Sequence, residues 1–221
     1  MKWSWRLGRA AGVDVYLHFT FLLLLGWEFF SRALHGDLAG AVWQGLIFNI
    51  VLFGTVVLHE LGHALAARHY GIGTADITLL PIGGVARLLD SPGSPREELV
   101  IALAGPAVNV VLAGLIFAAL QLAPGLAGLG IIGALVVRWL HINVALLLFN
   151  LIPAFPMDGG RVLRAMLAMR MGFASGTRIA ARVGQVLAVG FFFAGLAWNP
   201  MLMLIGVFVW FGAAQEAALV H

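Results

Sequence analysis

The chain has 221 residues, of which 62% are hydrophobic and only 10% charged, and its mean hydropathy of +0.99 excludes an ordinary soluble globular domain. It contains no cysteine, which rules out a disulfide framework, a thiolate metal site and a cysteine nucleophile, so any metal must be held by His, Asp or Glu. The formal charge of +3 and pI near 10.2 do not point to nucleic acid, because the basic residues are scattered between apolar runs as in a membrane topology signal.

In chain order, Lys2, Arg6 and Arg9 precede an apolar run from Val15 to Phe30. The outline is that of a signal peptide, but Trp27, Glu28, Phe29 and Phe30 stand where small residues would be needed for cleavage, so the run is expected to remain as a first span. A bilayer core takes about 20 apolar residues per helix. Six stretches qualify: 13–31, 42–68, 97–121, 129–152, 178–197 and 200–217. With the N-terminus inside, Lys2, Arg6, Arg9, Arg68, Arg87, Arg96, Arg161, Arg164, Arg170, Arg178 and Arg182 are cytoplasmic and only Arg32 and Arg138 external. Both termini then face the cytoplasm.

Two segments do not fit a simple span. Residues 74–89 alternate polar and apolar side chains through Ala75-Asp76-Ile77-Thr78-Leu79-Leu80 and turn at Pro81-Ile82-Gly83-Gly84, which predicts a hairpin. Residues 150–160 carry Pro153, Pro156, Gly159 and Gly160 directly after the fourth span, so a helix cannot continue through them. Irregular backbone at membrane depth is tolerated only where protein or a water-filled cavity satisfies it. The fold class expected is an all-α polytopic membrane protein with six transmembrane helices and a small membrane-associated β-hairpin or sheet near the cytoplasmic side. Without a repeat, low-complexity tract or linker, residues 1–221 are expected to form one domain.

The second span ends in His59-Glu60-Leu61-Gly62-His63. Histidines at i and i+4 share one helix face and suit two imidazoles on one zinc ion, with Glu60 beside them as a base for water whose pKa zinc lowers toward about 7. Ionisable residues inside a span are costly and are functional by default, whereas an incidental polar cluster would gain nothing there. A catalytic zinc needs a third protein ligand. His18, His69, His141 and Asp158 compete for that role: His18 lies in the first span, His69 on nearly the opposite helix face and His141 near the outer end of the fourth span. Asp158 lies at the expected depth, but an Asp-Gly-Gly is as readily a turn as a ligand.

These residues, together with Asn150-Leu151-Ile152-Pro153-Ala154-Phe155-Pro156-Met157-Asp158-Gly159-Gly160-Arg161, resemble the paired signature of the site-2 protease family of intramembrane zinc metalloproteases. Pro81-Ile82-Gly83-Gly84-Val85 is similar to that family's glycine-containing hairpin, and Ala104-Gly105-Pro106-Ala107-Val108-Asn109 to its third-span motif. The resemblance runs from about Trp5 to Glu216. It implies one zinc ion per chain at His59, His63 and Asp158, Glu60 as general base, and Met157 standing where Leu is common. It also implies a membrane-anchored regulatory protein as substrate. Asn150 would bind the substrate backbone or the developing oxyanion, or else serve as a capping amide. Gly83, Gly84 and Val85 would offer a strand edge to an unwound substrate, or else plug the site. Asn109 and Asn143 are expected to serve helix packing. Members of that family commonly carry a pair of CBS domains after the last span or an inserted PDZ domain, and neither is expected within residues 1–221.

Three other readings compete. A di-iron oxidase would need Glu-x-x-His pairs that Glu28, Glu97, Glu98 and Glu216 do not supply. A metal transporter would need further ligands along a path, for which the external half offers only His35, Asp37 and His141. A proteolytically inactive helix-binding homologue is disfavoured because the base and all three ligands are present.

Overall fold

The computed structural model of the chain describes residues 3–34, 45–81 and 83–220. Lys2, Ile82 and the segment 35–44, with His35, Asp37 and the start of the second expected span, lie outside the described residues. The elements are β1 (Ser4–Ala10), β2 (Val13–His18), α1 (Thr20–Leu34), α2 (Leu46–His69), β3 (Thr74–Leu80), β4 (Gly83–Leu88), α3 (Pro95–Leu122), α4 (Gly130–Asn150), α5 (Asp158–Met171), α6 (Phe173–Ala197) and α7 (Pro200–Ala218). Among the described residues, α2, α3, α4, α6 and α7 are long and apolar enough to cross a membrane. They coincide with the second to sixth expected spans, and a mostly helical chain with a small sheet stands as expected.

The first expected span is built differently. Val13–His18 is a strand, and α1 begins only at Thr20 and is described as far as Leu34. The reason lies in the alternation of Val13, Val15 and Leu17 with Asp14, Tyr16 and His18. That period of two suits a strand, and β2 uses it by pairing antiparallel with β1 and parallel with β3. The expected hairpin thus belongs to a four-stranded sheet of order β1-β2-β3-β4.

The described contacts fall into two compact units. The first comprises Met1–Ser91 and Ala107–Ala145. Its β1–β2 turn places Ala11 and Gly12 at φ +48° and +90°, the positive-φ pair that matches a two-residue hairpin turn to the strand twist. Across that hairpin Arg6 donates to Asp14 at 2.7 Å, which holds the Asp14 carboxyl below the ordinary range. Helix α2 buries Asn49, Phe53, Val56, His59, His63 and Ala67, a stripe spaced by three or four residues. The helix ends at Gly71 (φ +78°), with the Gly71 N–H on the Arg68 carbonyl and the Ile72 N–H on the Ala67 carbonyl. This Schellman arrangement reverses the chain into β3, where Ile77 and Leu79 are buried.

The second unit comprises Pro92–Pro106 and Leu146–His221. Helix α3 starts with Ser94 as cap and Pro95 as its first residue. The Glu97 N–H bonds the Ser94 hydroxyl, and the Glu97 carboxylate accepts from Ser94 and from the Gly93 N–H, a capping box. Small residues let α6 and α7 approach closely: a Cβ on Gly206 would lie 2.7 Å from the Ala188 carbonyl oxygen, and one on Gly195 2.5 Å from the Met203 nitrogen. Between them and the loop 151–157, the packed groups Ala154, Met157, Ala188, Val209 and Phe155, Ala180, Ala181, Ala213 form the core. Within this unit Arg164 of α5 is buried between two acids. Its Nε lies 2.8 Å from Glu98 Oε1, its Nη1 2.5 Å from Glu216 Oε2, and its guanidinium covers the Phe155 and Phe173 rings at 5.0 Å each.

Candidate metal centre

On α2 the i, i+4 spacing does what helix geometry requires. His59 and His63 are both buried, their ring centroids are 4.8 Å apart, and their Nε2 atoms face each other at 3.1 Å. Two imidazole nitrogens on one tetrahedral zinc, at roughly 2.05 Å each, would stand about 3.3 Å apart. The separation of the two nitrogens is therefore close to the one that such an ion requires.

Behind His59 runs a chain of amides in the first unit. Nδ1 of His59 lies 2.6 Å from Asn109 Oδ1, Asn109 Nδ2 donates to Asn143 Oδ1 at 3.1 Å, and Asn143 Nδ2 donates to the Trp139 carbonyl at 2.9 Å. Trp139 Nε1 in turn donates to Thr55 Oγ1 at 2.9 Å. Thr55 lies one helical turn before His59. Asn109 and Asn143, expected to serve helix packing, do link helices here, and the sequence signal for the contact with His59 is the position of Asn109 inside the third-span motif.

Glu60, half-buried on the neighbouring flank of α2, is fastened to the sheet. Its Oε2 accepts the Ala86 N–H of β4 at 3.0 Å. A glycine makes this approach possible: a Cβ on Gly84 would fall 2.6 Å from Glu60 Cγ and 2.8 Å from Val56 Cγ1. Gly83 has φ +137°, and the Val85 side chain is exposed.

Asp158, in the second unit, is the first residue of α5 and is buried. The following glycines have no room for side chains: a Cβ on Gly159 would meet the Ile152 and Leu151 carbonyl oxygens at 2.3 and 2.5 Å, and one on Gly160 the Ala154 carbon and Phe155 nitrogen at 2.6 Å. The Pro-rich loop is thus wrapped on the helix start that carries the carboxylate. Two imidazoles, as His59 and His63 supply in the first unit, and one carboxylate, as Asp158 supplies in the second, make up a zinc-type donor set.

The remaining ligand candidates are placed elsewhere. His18 Nδ1 is paired with Thr20 Oγ1 at 2.8 Å, and His69 and His141 are exposed. Asn150 donates to the Leu146 carbonyl at 3.0 Å, one turn back on its own helix.

A family model, Peptidase family M50, matches residues 47–135 and 126–191. The chain belongs to this family of site-2 proteases. A zinc metalloprotease of Methanocaldococcus jannaschii is 41% identical over 224 residues, covering 100% of this chain and 62% of that protein. Relatives from Synechocystis and Mycobacterium tuberculosis are 40% identical over 193 residues and 36% over 228; they cover 81% and 95% of this chain, which spans 48% and 57% of their lengths. The chain therefore spans about half to three fifths of these curated relatives. A solved site-2 protease from Methanocaldococcus jannaschii superposes with a TM-score of 0.68 at 38% identity, covering 97% of this chain and 95% of that one. With five apolar helices among the described residues, this M50 chain is an integral membrane protein, and zinc is the metal that its donor types and family agree on.

Proposed function

We propose that this chain is an intramembrane zinc endopeptidase that hydrolyses peptide bonds in or near transmembrane segments of membrane-anchored regulatory proteins. Zinc is held by His59, His63 and Asp158, and Glu60 is the general base. The observation that carries the reading is the facing of two buried imidazoles, Nε2 to Nε2 at 3.1 Å, with a carboxylate on the intervening residue fastened to a strand at 3.0 Å. When bound, zinc supplies a Lewis acid that polarises the scissile carbonyl and acidifies water. Glu60 accepts the proton of the attacking water and delivers it to the departing amide nitrogen.

A helical substrate hides its scissile carbonyl in intrahelical bonds and must be unwound before attack. In this proposal β4, the edge strand of the sheet, takes the unwound segment as an added strand along Gly83, Gly84 and Val85. Asn150 then binds the substrate backbone or the oxyanion. Residues 1–221 act as one metalloprotease core in a prokaryotic cell membrane, with both termini cytoplasmic.

The test is cleavage of a single-span substrate by the purified chain in liposomes. Activity is expected to vanish with a zinc chelator and to return with added zinc. Asp158→Ala is expected to weaken zinc binding by more than about 100-fold, beyond what loss of an outer-shell partner costs. Unchanged zinc affinity in that variant would remove Asp158 from the site, and zinc flux without cleavage would favour a transporter.

A subtler variant separates strand placement from metal binding. Gly84→Ala pushes β4 against the Glu60 side chain, so cleavage is expected to fall by about 100-fold, the scale of a 1 Å misplacement. Zinc content should stay at one per chain. A fully active Gly84→Ala enzyme would sever the link between the strand and the base.

A further inference from the structure

The hydrogen bonds behind His59 have a direction, and it is imposed from one end. The Trp139 backbone oxygen can only accept. It takes the Asn143 amide at 2.9 Å, which turns Asn143 Oδ1 toward Asn109. That oxygen accepts from Asn109 Nδ2 at 3.1 Å, so Asn109 must present its own oxygen to His59 Nδ1 at 2.6 Å. An acceptor at that distance requires the ring proton on Nδ1 and leaves the lone pair on Nε2. Nε2 is the atom that faces His63.

We propose that Asn109, oriented by Asn143, is a positioning residue that sets the tautomer of His59 and so presents Nε2 as the metal donor. The inference rests on the zinc reading above and deepens it. The circuit is closed: Trp139, whose carbonyl starts the relay, is tied through Thr55 to the helix that carries His59. Asn109 and Asn143 are both fully buried. Two buried amides on apolar helices could serve as interhelical glue alone, but glue does not require one oxygen to face one nitrogen.

The full chain is purified and its zinc affinity measured against a competing chelator. Asn109→Leu, which keeps the branched outline of the side chain and removes the acceptor, is expected to weaken zinc binding by 10- to 100-fold. Asn109→Asp, which keeps an oxygen for Nδ1–H and, protonated in this buried position, an O–H for Asn143 Oδ1, should recover most of that loss. Equal affinity in wild type and Asn109→Leu overturns the proposal, as does an Asp variant as weak as the Leu variant, since packing alone would then explain both. If Asn109→Leu does not fold, nitrogen NMR of the zinc-loaded wild type decides: the proton on His59 Nδ1 and metal on Nε2 are expected, and the reverse overturns it. A wild-type chain that takes up no zinc sinks the metal reading itself, and this one with it, whereas failure of the relay alone leaves wild-type zinc binding intact.

Discussion

Glu60→Gln is expected to lower cleavage of a transmembrane substrate by about 100- to 10,000-fold, the span over which a positioned base contributes, while zinc content stays at one per chain. That range corresponds to about 3 to 5.5 kcal/mol of transition-state stabilisation. Glutamine is the informative replacement because its Oε1 can still accept the Ala86 N–H that Glu60 holds at 3.0 Å. The strand therefore stays on the helix, and only the ability to take a proton is lost. The loss should appear in kcat with KM little changed, as for an interaction made in the transition state. Glu60→Ala removes the strand contact as well, so it should lose more than the glutamine variant and also raise KM. Cleavage at the wild-type rate by Glu60→Gln would strip Glu60 of the role of base.

The second large effect concerns stability. Arg164→Met is expected to cost about 3 to 5 kcal/mol, the usual penalty for removing one partner of a buried ion pair. The methionine approximates the packing over Phe155 and Phe173 but leaves Glu98, only 3% exposed, without the cation that Nε and Nη2 supply at 2.8 and 2.5 Å. Arg164→Lys should be intermediate, since one ammonium cannot serve both Glu98 and Glu216 in this fork geometry. Combining Arg164→Met with Glu98→Gln and Glu216→Gln is expected to recover much of the loss, because the uncompensated charges go with it. The measurement is reversible unfolding in detergent micelles. Arg164 lies on the helix that Asp158 begins, so the single variant should also bind zinc more weakly. An Arg164→Met protein as stable as wild type would mean that Glu98 reaches water.

Much of this protein was legible before any coordinates. Hydropathy located the five long helices because a bilayer demands about 20 apolar residues whatever the tertiary contacts. The i, i+4 histidines were legible because helical periodicity alone brings their rings together. The hairpin at residues 74–89 announced itself by alternation around a glycine turn. The N-terminal strands did not, since Val13–His18 is apolar enough to pass for the start of a span. Its strand character is realised only by β1 on one side and β3, more than 50 residues later in the chain, on the other.

The proposed zinc site divides along the same line. By itself the sequence determined a candidate metal-binding pair with a carboxylate beside it, and the family signature added Asp158 as an expected ligand. The tertiary structure decided what stands behind and in front of that pair. It joined His59 to Asn109 across 50 residues, Asn109 to Asn143 across 34 and Glu60 to Ala86 across 26. It also enclosed Arg164 between acids 66 and 52 residues away. No periodicity encodes such partners. A helix repeats its neighbours every few residues, whereas a buried amide or charge is satisfied by whichever distant group the packing brings within about 3 Å.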